Sequence, residues 1–443
     1  MRNLYRIWKI WISLAVISFM FAPLLQGQDN DSLKKEVEEL RQQNTSLQQQ
    51  LQQQREMIDQ LSRKFSGLQK TNDQQAGSIR DLQESAGNAP PPLEKQNQFS
   101  LGKVVLSGEG AAGFFESERN GEFPNAAFRV DEVRLFLDAP IWNDVYFFGQ
   151  IDLQTHEEGD YGVFLSELYL QWENLTKNWG QDGVLNARIG QFYTPFGEEY
   201  QRRFAIDNPL ISHSLSDLWG LNPGLELYGA FKHLNYAVAV QNGGLSVLND
   251  GTADKLLAGR IGYDVAPWLS LSVNGMRTGQ LSVNRDFLST SWFGSGFFQS
   301  IGSTNATDFQ VNLAEFDADA KWKGGDIHAA GGWAGYWDND VMGDNHRDIY
   351  YYYVEALQHA TPKLYGVARW SQIRAPKGYP IMGGTTQFFL PTTDVWRMSL
   401  GLGYQFTERL VLKVEYMFEG GELVSGSSRN HENMFAAEAA FKF

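Results

Sequence analysis

Hydrophobic and polar residues alternate with a period of two over most of the chain after residue 99, and this pattern predicts β-strands. In the segment 409–419, apolar residues occupy every second position from Leu410 to Phe418, while Lys413 and Glu415 lie between them. Most such segments have about ten to thirteen residues, a length that suits tilted membrane-spanning strands better than globular ones. Sixteen segments share this character: 103–114, 126–138, 143–155, 163–173, 184–195, 225–233, 235–242, 255–264, 268–278, 308–322, 326–337, 349–360, 363–373, 394–405, 409–419 and 432–443.

The connections between these segments alternate between tight turns, such as 323–325, and long polar loops, such as 197–224 and 279–307. A soluble sandwich can show the same alternation strand by strand, but it has no reason to sort its loops by length in this way. Membrane barrels do, because short turns lie on one side and long loops on the other. The fold class predicted for 99–443 is therefore all-β, a 16-stranded antiparallel transmembrane β-barrel preceded by an N-terminal α-helical coiled coil.

The coiled coil is predicted for 31–86, where seam positions from Leu33 to Leu82 follow one another in steps of four and three. A period of 3.5 requires a left-handed supercoil and a partner helix, whereas a solvated single helix is the alternative. Asn44 and Asn72 fall on the seam, where a buried amide fixes register without deciding between dimer and trimer. Three prolines then end the helix in a linker over 87–98.

The N-terminus has the pattern of an export signal over 1–27. Arg2 and Lys9 belong to a basic stretch, the segment 10–25 is almost wholly apolar, and Gly27 suits the cleavage site. A membrane anchor is the alternative, but the apolar run is shorter than the ~20 residues that a spanning helix needs. The exact cleavage position stays open.

Composition narrows the function further. The chain has no Cys, which excludes disulfides and thiolate chemistry, and its net charge of −15 argues against nucleic-acid binding. A mean hydropathy of −0.36 stands beside 29 Phe, 18 Tyr and 13 Trp. A barrel accommodates both, because rings face lipid while polar groups face the lumen and the loops.

One strand end resembles a known family. The segment 187–197 reads ARIGQFYTPFG, and it is similar to the R-x-G-Q-F-x-x-P-F strand end of the phosphate-selective porin O and P family. The segments 148–152 and 134–138 support the match. The resemblance implies a sixteen-stranded, trimeric outer-membrane channel, and some members of that family carry an N-terminal coiled coil, so a homotrimer is implied here.

The function expected on this basis is that of a porin for small hydrophilic solutes, with anions such as phosphate among the candidates. Acidic residues outnumber basic ones in 99–443, however, and selectivity follows the sign of the charges lining a pore. The solute and the charge selectivity therefore stay open. The alternative is an envelope tether, in which the barrel anchors a coiled coil that grips peptidoglycan.

Ionisable residues on the predicted inward faces are the candidate pore lining. They are Arg134, Asp152, Glu167, Arg188, Arg260, Arg397, Lys413 and Glu415. The loop 197–224 is the candidate constriction, because carboxylates facing guanidiniums across a narrow lumen would create a transverse field. Its charged residues are Glu198, Glu199, Arg202, Arg203, Asp207 and Asp217. Whether the loop enters the lumen or packs outside is open from sequence.

The remaining expectations concern the location of the protein and its chemistry. Phe443 ends an amphipathic strand. A terminal aromatic residue on such a strand resembles the signal that the outer-membrane barrel-assembly machinery recognises. This resemblance predicts a barrel in outer-membrane lipid and a coiled coil in the periplasm. The segment 338–344 faintly resembles a calcium loop, but Met342 stands where an oxygen ligand is required. No G-x-S-x-G or H-E-x-x-H motif occurs, so neither catalysis nor a metal or cofactor is expected.

Overall fold

The computed structural model describes residues 104–155, 162–180, 182–218, 220–243, 253–282, 305–380 and 391–443. These residues belong to one compact unit, Gln98–Phe443. The predicted signal peptide, coiled coil and linker lie outside the described residues, so those predictions stand as made.

The described chain folds into one antiparallel sheet of sixteen long strands and two strands of two residues each, β10 and β17. The strands are β1 (Val105–Ser117), β2 (Ala127–Trp142), β3 (Val145–Gln154), β4 (Phe164–Trp172), β5 (Asn186–Tyr193), β6 (Leu221–Phe231), β7 (Leu234–Gln241), β8 (Leu256–Ala266), β9 (Leu269–Arg277), β10 (Leu281–Ser282), β11 (Asp308–Trp322), β12 (Gly325–Asp338), β13 (Arg347–His359), β14 (Leu364–Pro380), β15 (Pro391–Thr407), β16 (Leu410–Leu423), β17 (Ser428–Arg429) and β18 (Met434–Lys442).

The sheet closes on itself. Each long strand pairs with its neighbours along the chain, β9 pairs with β11, β16 pairs with β18, and β18 pairs with β1. Gly108 and Phe443 exchange backbone hydrogen bonds of 3.2 and 2.9 Å at this seam. Closure satisfies the edge groups that an open sheet would leave unpaired in lipid. The predicted sixteen-stranded antiparallel barrel is confirmed.

Side chains alternate between a lipid-facing and an inward-facing surface, as β16 illustrates. Leu412 and Tyr416 are 42% and 41% exposed, whereas Lys413 and Glu415 between them are each 2% exposed. Rings stack on the outer surface as well, with the centroids of Trp370 and Trp396 5.4 Å apart. The barrel therefore presents apolar groups to lipid and ionisable groups to its interior.

Connections sort by length between the two ends. We call the end with turns such as 143–144 and 323–324 the short-turn end, and the opposite one the long-loop end. Helical structure in the described ranges is limited to two 3-10 helices, Lys177–Trp179 and Glu199–Arg202, neither long enough to cross a membrane. The largest described connection is the β5–β6 loop, residues 194–220, which begins and ends a few residues earlier than the predicted 197–224.

The interior near the long-loop end is apolar, which differs from the wet lumen that alternation predicts. A buried cluster there joins Phe196, Leu215 and Leu218 of the β5–β6 loop to inward-facing side chains of the wall, including Ile349 and Val395. Each buried side chain of this size contributes about 1.5–3 kcal/mol. The wall is apolar at this level because the loop presents apolar groups to it.

Candidate functional site

The β5–β6 loop crosses the inside of the barrel. β5 and β14 are eight strands apart in a ring of sixteen, so they lie on opposite sides of it. The loop leaves β5, yet its Leu215 N–H donates to the Ser371 hydroxyl of β14 at 3.2 Å. Its Pro209 carbonyl accepts a 3.1 Å bond from the Tyr365 hydroxyl, also on β14. The loop therefore divides the lumen, which the sequence had left open.

Glu415 on β16 is the main anion that holds this loop. Its carboxylate accepts backbone N–H bonds from Ile211 at 2.7 Å and from Ser212 at 2.8 Å. It also accepts a 2.5 Å bond from the Ser212 hydroxyl. Hydrogen bonds to a buried ionised group are worth roughly 1.5–3 kcal/mol each. Glu415 is therefore a docking point for the loop and does not face open water.

Lys413, two residues earlier on the same inward face, captures loop carbonyls. Its ammonium donates to the Ala205 and Leu210 carbonyls at 2.7 and 2.9 Å and pairs with Glu438 of β18 at 2.7 Å. The Asn208 carbonyl lies at 3.4 Å as well, so the three donors of the ammonium are all engaged. The loop backbone is thus fixed by an anion and a cation on adjacent inward positions of β16.

Two arginines continue this docking surface onto neighbouring strands. Arg369 of β14 donates to the Ser212 carbonyl at 2.7 Å and pairs with Glu355 of β13 at 2.5 Å. Arg397 of β15 donates to the His213 carbonyl at 3.0 Å. The Ser212 carbonyl also accepts a 2.9 Å bond from Asn208 of the loop itself. The Ser212 hydroxyl is engaged with Glu415 rather than with the neighbouring His213.

The loop also has an internal ion pair. Arg203 and Asp217 lie 2.9 Å apart and are both almost fully buried. The His213 ring bridges them, with Nδ1 3.3 Å from Asp217 and Nε2 2.8 Å from the Arg203 carbonyl. These contacts connect the two arms of the loop, so it crosses the lumen as a folded unit.

Other charged loop residues reach the wall on both sides. Arg202 lies 3.5 Å from Glu355 of β13, and Glu198 pairs with Arg260 of β8. Asp207 is exposed. The structure thus brings carboxylates and guanidiniums together along the loop, mostly as direct pairs.

Glu199 is a partly buried acid of the loop itself. Its carboxylate accepts the Ser214 N–H at 2.9 Å and the Ser214 hydroxyl at 2.5 Å. Burial, together with the nearby charge of Asp217, raises the pKa of Glu199 to about 7, although Arg369 and Ser214 oppose this shift. Neutral Glu199 is therefore the form that the docked loop favours below this pH.

We expect Glu199→Gln to remove one component of the pH dependence of stability. Because the folded pKa lies above the ordinary value of 4.5, the wild-type protein should lose stability as pH rises from 4.5 to about 7. The loss should be on the order of 1–3 kcal/mol, and the amide should not show it. Urea unfolding in lipid vesicles across this range measures the difference. Exposed Glu408→Gln is the control, and equal pH slopes for wild type and E199Q would contradict the assignment.

Arg134 organises a second charged cluster, between β1, β2 and β3. Its guanidinium lies 3.3 Å from Glu109, 2.5 Å from Glu132 and 3.5 Å from Asp152, and the side chain is 1% exposed. Glu132 in turn accepts the N–H of loop residue Ala205 at 2.9 Å. The cluster therefore connects a second part of the barrel wall, formed by β1 to β3, to the loop.

The candidate pore-lining residues all face the interior, but the loop covers most of them. Five are buried: Arg134, Asp152, Arg397, Lys413 and Glu415. Three are partly exposed: Glu167, Arg188 and Arg260. The alternation of the strands gives the inward direction of each side chain, but it carries no information on which ones a distant loop covers.

Sequence reasoning missed several of the residues that hold the loop, namely Glu132, Glu355, Arg369 and Glu438. Strand parity was a usable signal for some of them. Arg369 has the same parity as the inward Tyr365 and Val367 within the predicted strand 363–373, and Glu132 has the same parity as Arg134.

Two carboxylates of the acidic segment 338–344 are used within its own turn, and Asp344 pairs with Lys377 of β14 at 2.7 Å. The Asp340 N–H donates to Asp338 at 2.9 Å, and the Met342 N–H donates to Asp340 at 3.0 Å. In the part of the chain that the structure describes, no three His, Asp or Glu side chains are grouped to hold a metal ion.

Comparison with known proteins identifies solved structures that share the fold. No protein-family model matches the chain, and no curated protein matches it. Among solved structures, the outer-membrane protein OmpT of Vibrio cholerae in its trimer form is 13% identical, with a TM-score of 0.52 over 77% of this chain and 99% of that one. The outer-membrane channel DcaP of Acinetobacter baumannii is 14% identical, with a TM-score of 0.52 over 77% and 97%. Pseudomonas putida OprB is 11% identical, with a TM-score of 0.51 over 77% and 94%. At these identities the likeness shows a shared barrel fold and does not establish the phosphate-selective family.

Proposed function

We propose that this protein is an outer-membrane porin, a water-filled channel through which small hydrophilic solutes diffuse. The observation that carries the proposal is the β5–β6 loop, which crosses a closed sixteen-stranded barrel and docks on the opposite wall through Glu415 and Arg369. A barrel that served only as an anchor would have no need for an internal loop fixed so extensively. Sixteen strands also enclose more space than side chains alone fill.

We propose that the open passage runs beside the loop, along the wall formed by β4 to β8. Two guanidiniums of this wall are partly exposed, with side-chain exposures of 22% for Arg188 and 16% for Arg260. Arg202 of the loop is 30% exposed. Solutes crossing the barrel would meet these groups. They are the residues that we propose set its charge selectivity.

The pairing of these cations argues against selectivity for phosphate. Arg188 has Glu226 at 3.2 Å, Arg202 has Glu355 at 3.5 Å, and Arg260 has Glu198. An anion-selective pore needs basic groups whose charge is available to the solute. The inward Asp138 and the loop's Asp207 are exposed carboxylates. We therefore propose a weak preference for cations.

Planar-bilayer recordings test both statements. Folded protein should give stable channels, and the reversal potential in a KCl gradient should have the sign of cation preference. The double variant Asp138→Asn, Asp207→Asn should move that potential toward zero, while exposed Glu422→Gln should leave it unchanged. An absence of channels would refute the porin, whereas a reversal potential of anion sign would refute only the charge preference.

Assembly and location form part of the proposal. We propose a homotrimer in the outer membrane, with the coiled coil of 31–86 in the periplasm and Phe443 as the contact for the assembly machinery. The trimer form of a structure with the same fold supports the first statement. Deleting 31–86 separates a porin from a peptidoglycan tether. Conductance should be kept in both cases, but the outer membrane should detach only if the segment is a tether.

A further inference from the structure

Four inward-facing rings and one guanidinium form a continuous arc inside the barrel. The ring centroids of Phe136 and Phe148 lie 6.2 Å apart, and those of Phe148 and Tyr169 lie 5.1 Å apart, with an interplanar angle of 26° in both pairs. The Arg188 guanidinium carbon then lies 4.3 Å from the centroid of Tyr169 and 5.3 Å from that of Tyr228. We call these five residues the aromatic arc.

The aromatic arc follows five consecutive strands, β2 to β6, with one residue from each. Its members are partly exposed on the inside, whereas their neighbours Leu137 and Leu168 are 37% exposed on the lipid face. Tyr228 lies three residues before the end of β6, and Phe148 three residues after the start of β3, so the arc lies toward the short-turn end. It therefore forms one wall of a vestibule on that side of the loop.

Polar groups accompany the rings. Asp138 is exposed and is the register partner of Phe148 across β2 and β3. Gln171 accepts a 3.1 Å bond from Arg188 and donates a 2.8 Å bond to Glu173. Acceptors and donors thus lie beside the ring faces along the arc.

The charge of the arc is balanced. Arg188 pairs with Glu226 at 3.2 Å, so its charge is compensated, and the guanidinium acts mainly as a planar donor stacked between two rings. A phosphate ligand would need uncompensated cations, and a purely apolar ligand would displace water from the exposed Asp138 carboxylate without offering it a hydrogen bond. A solute with apolar ring faces and polar edges satisfies both sets of groups.

We propose that the aromatic arc is a binding track for carbohydrate, which enters the vestibule and steps from ring to ring. Sugar rings present C–H faces that stack on aromatic rings and hydroxyl edges that hydrogen-bond to carboxylates, amides and guanidiniums. The proposal rests on the proposed channel function and names its substrate class. Partial exposure of successive rings to the lumen is the observation that carries it, because a wall that needed only rigidity would bury them.

The test is the block of ion current by maltooligosaccharides in planar bilayers. Maltohexaose added on the side of the short turns should reduce the wild-type current in a saturable way. Tyr169→Ala should raise the half-blocking concentration roughly fivefold to tenfold, because the contact between one ring and the sugar is lost. Tyr169→Phe, which keeps the ring, should block like the wild type.

Controls separate the site from the channel. Tyr416→Ala removes the same side chain from the lipid face and should leave both conductance and block unchanged. Tyr228→Leu removes a second ring of the arc and serves if Tyr169→Ala does not fold. Channels that conduct but show no sugar block, or equal block in Y169A, Y228L and wild type, would overturn the binding track while leaving the porin intact. A preparation without channels would instead refute the porin.

Discussion

Glu415→Ala is expected to raise the single-channel conductance and its fluctuations, because the β5–β6 loop loses its main anionic anchor. The substitution removes three hydrogen bonds and leaves the N–H groups of Ile211 and Ser212 without an acceptor. Loss of these charge-assisted bonds should weaken docking by roughly 3–5 kcal/mol. Docking should then depend on the apolar cluster and on the cations Lys413 and Arg369.

Two further variants serve as controls for this prediction. Glu415→Gln keeps one acceptor oxygen at the same place and should have an intermediate effect. Glu422→Ala removes an exposed carboxylate from the same strand and should leave the conductance unchanged. An E415A channel with wild-type conductance and noise would mean that the loop does not limit the passage, and the constriction would then have to lie elsewhere.

Arg134→Met should cause the largest loss of stability. The guanidinium is shared by three carboxylates, those of Glu109, Glu132 and Asp152, and removing it leaves several buried acids without their cation. Breaking a buried pair in this way costs roughly 3–5 kcal/mol. Urea unfolding of the barrel in lipid vesicles should show a lower midpoint, and folding yield should fall in parallel.

The controls for this variant test the charge rather than the size of the side chain. Arg134→Lys keeps the cation with fewer donors and should recover part of the stability. Arg409→Met changes an exposed arginine in a short turn and should be neutral. If R134M were as stable as R409M, the three carboxylates would have to be satisfied without Arg134, and the cluster would not be structurally required.

The barrel itself could be derived from the sequence because its determinants are local. Period-two alternation is a property of neighbouring residues, and the predicted segment 308–322 coincides with β11. The observed strand boundaries differ from the predicted ones where glycine and proline interrupt the alternation. β6 begins at Leu221, before Pro223 and Gly224, whereas the alternation is regular only from 225. The inward direction of Lys413 and Glu415 followed from the same parity.

The docking of the loop could not be derived, because it depends on contacts between residues that no local pattern relates. Ser212 and Glu415 are 203 positions apart, and Ala205 and Lys413 are 208 apart. The alternation predicted that Arg134, Lys413 and Glu415 face inward. Whether they are buried or line water depends on the folded loop, which covers them. For the same reason an inward apolar layer around Ile349 was unexpected.

These separations have a consequence for the order of folding. The β5–β6 loop is made early in synthesis, but its partners on β14 to β16 come 157 to 208 residues later and acquire their positions only when the ring is complete. Contacts that close such long stretches of chain form slowly, because their loop entropy is lost before the contacts compensate for it. Insertion of the loop should therefore be the last step of maturation. A newly closed barrel would pass through a transient, wider state before the loop settles across it.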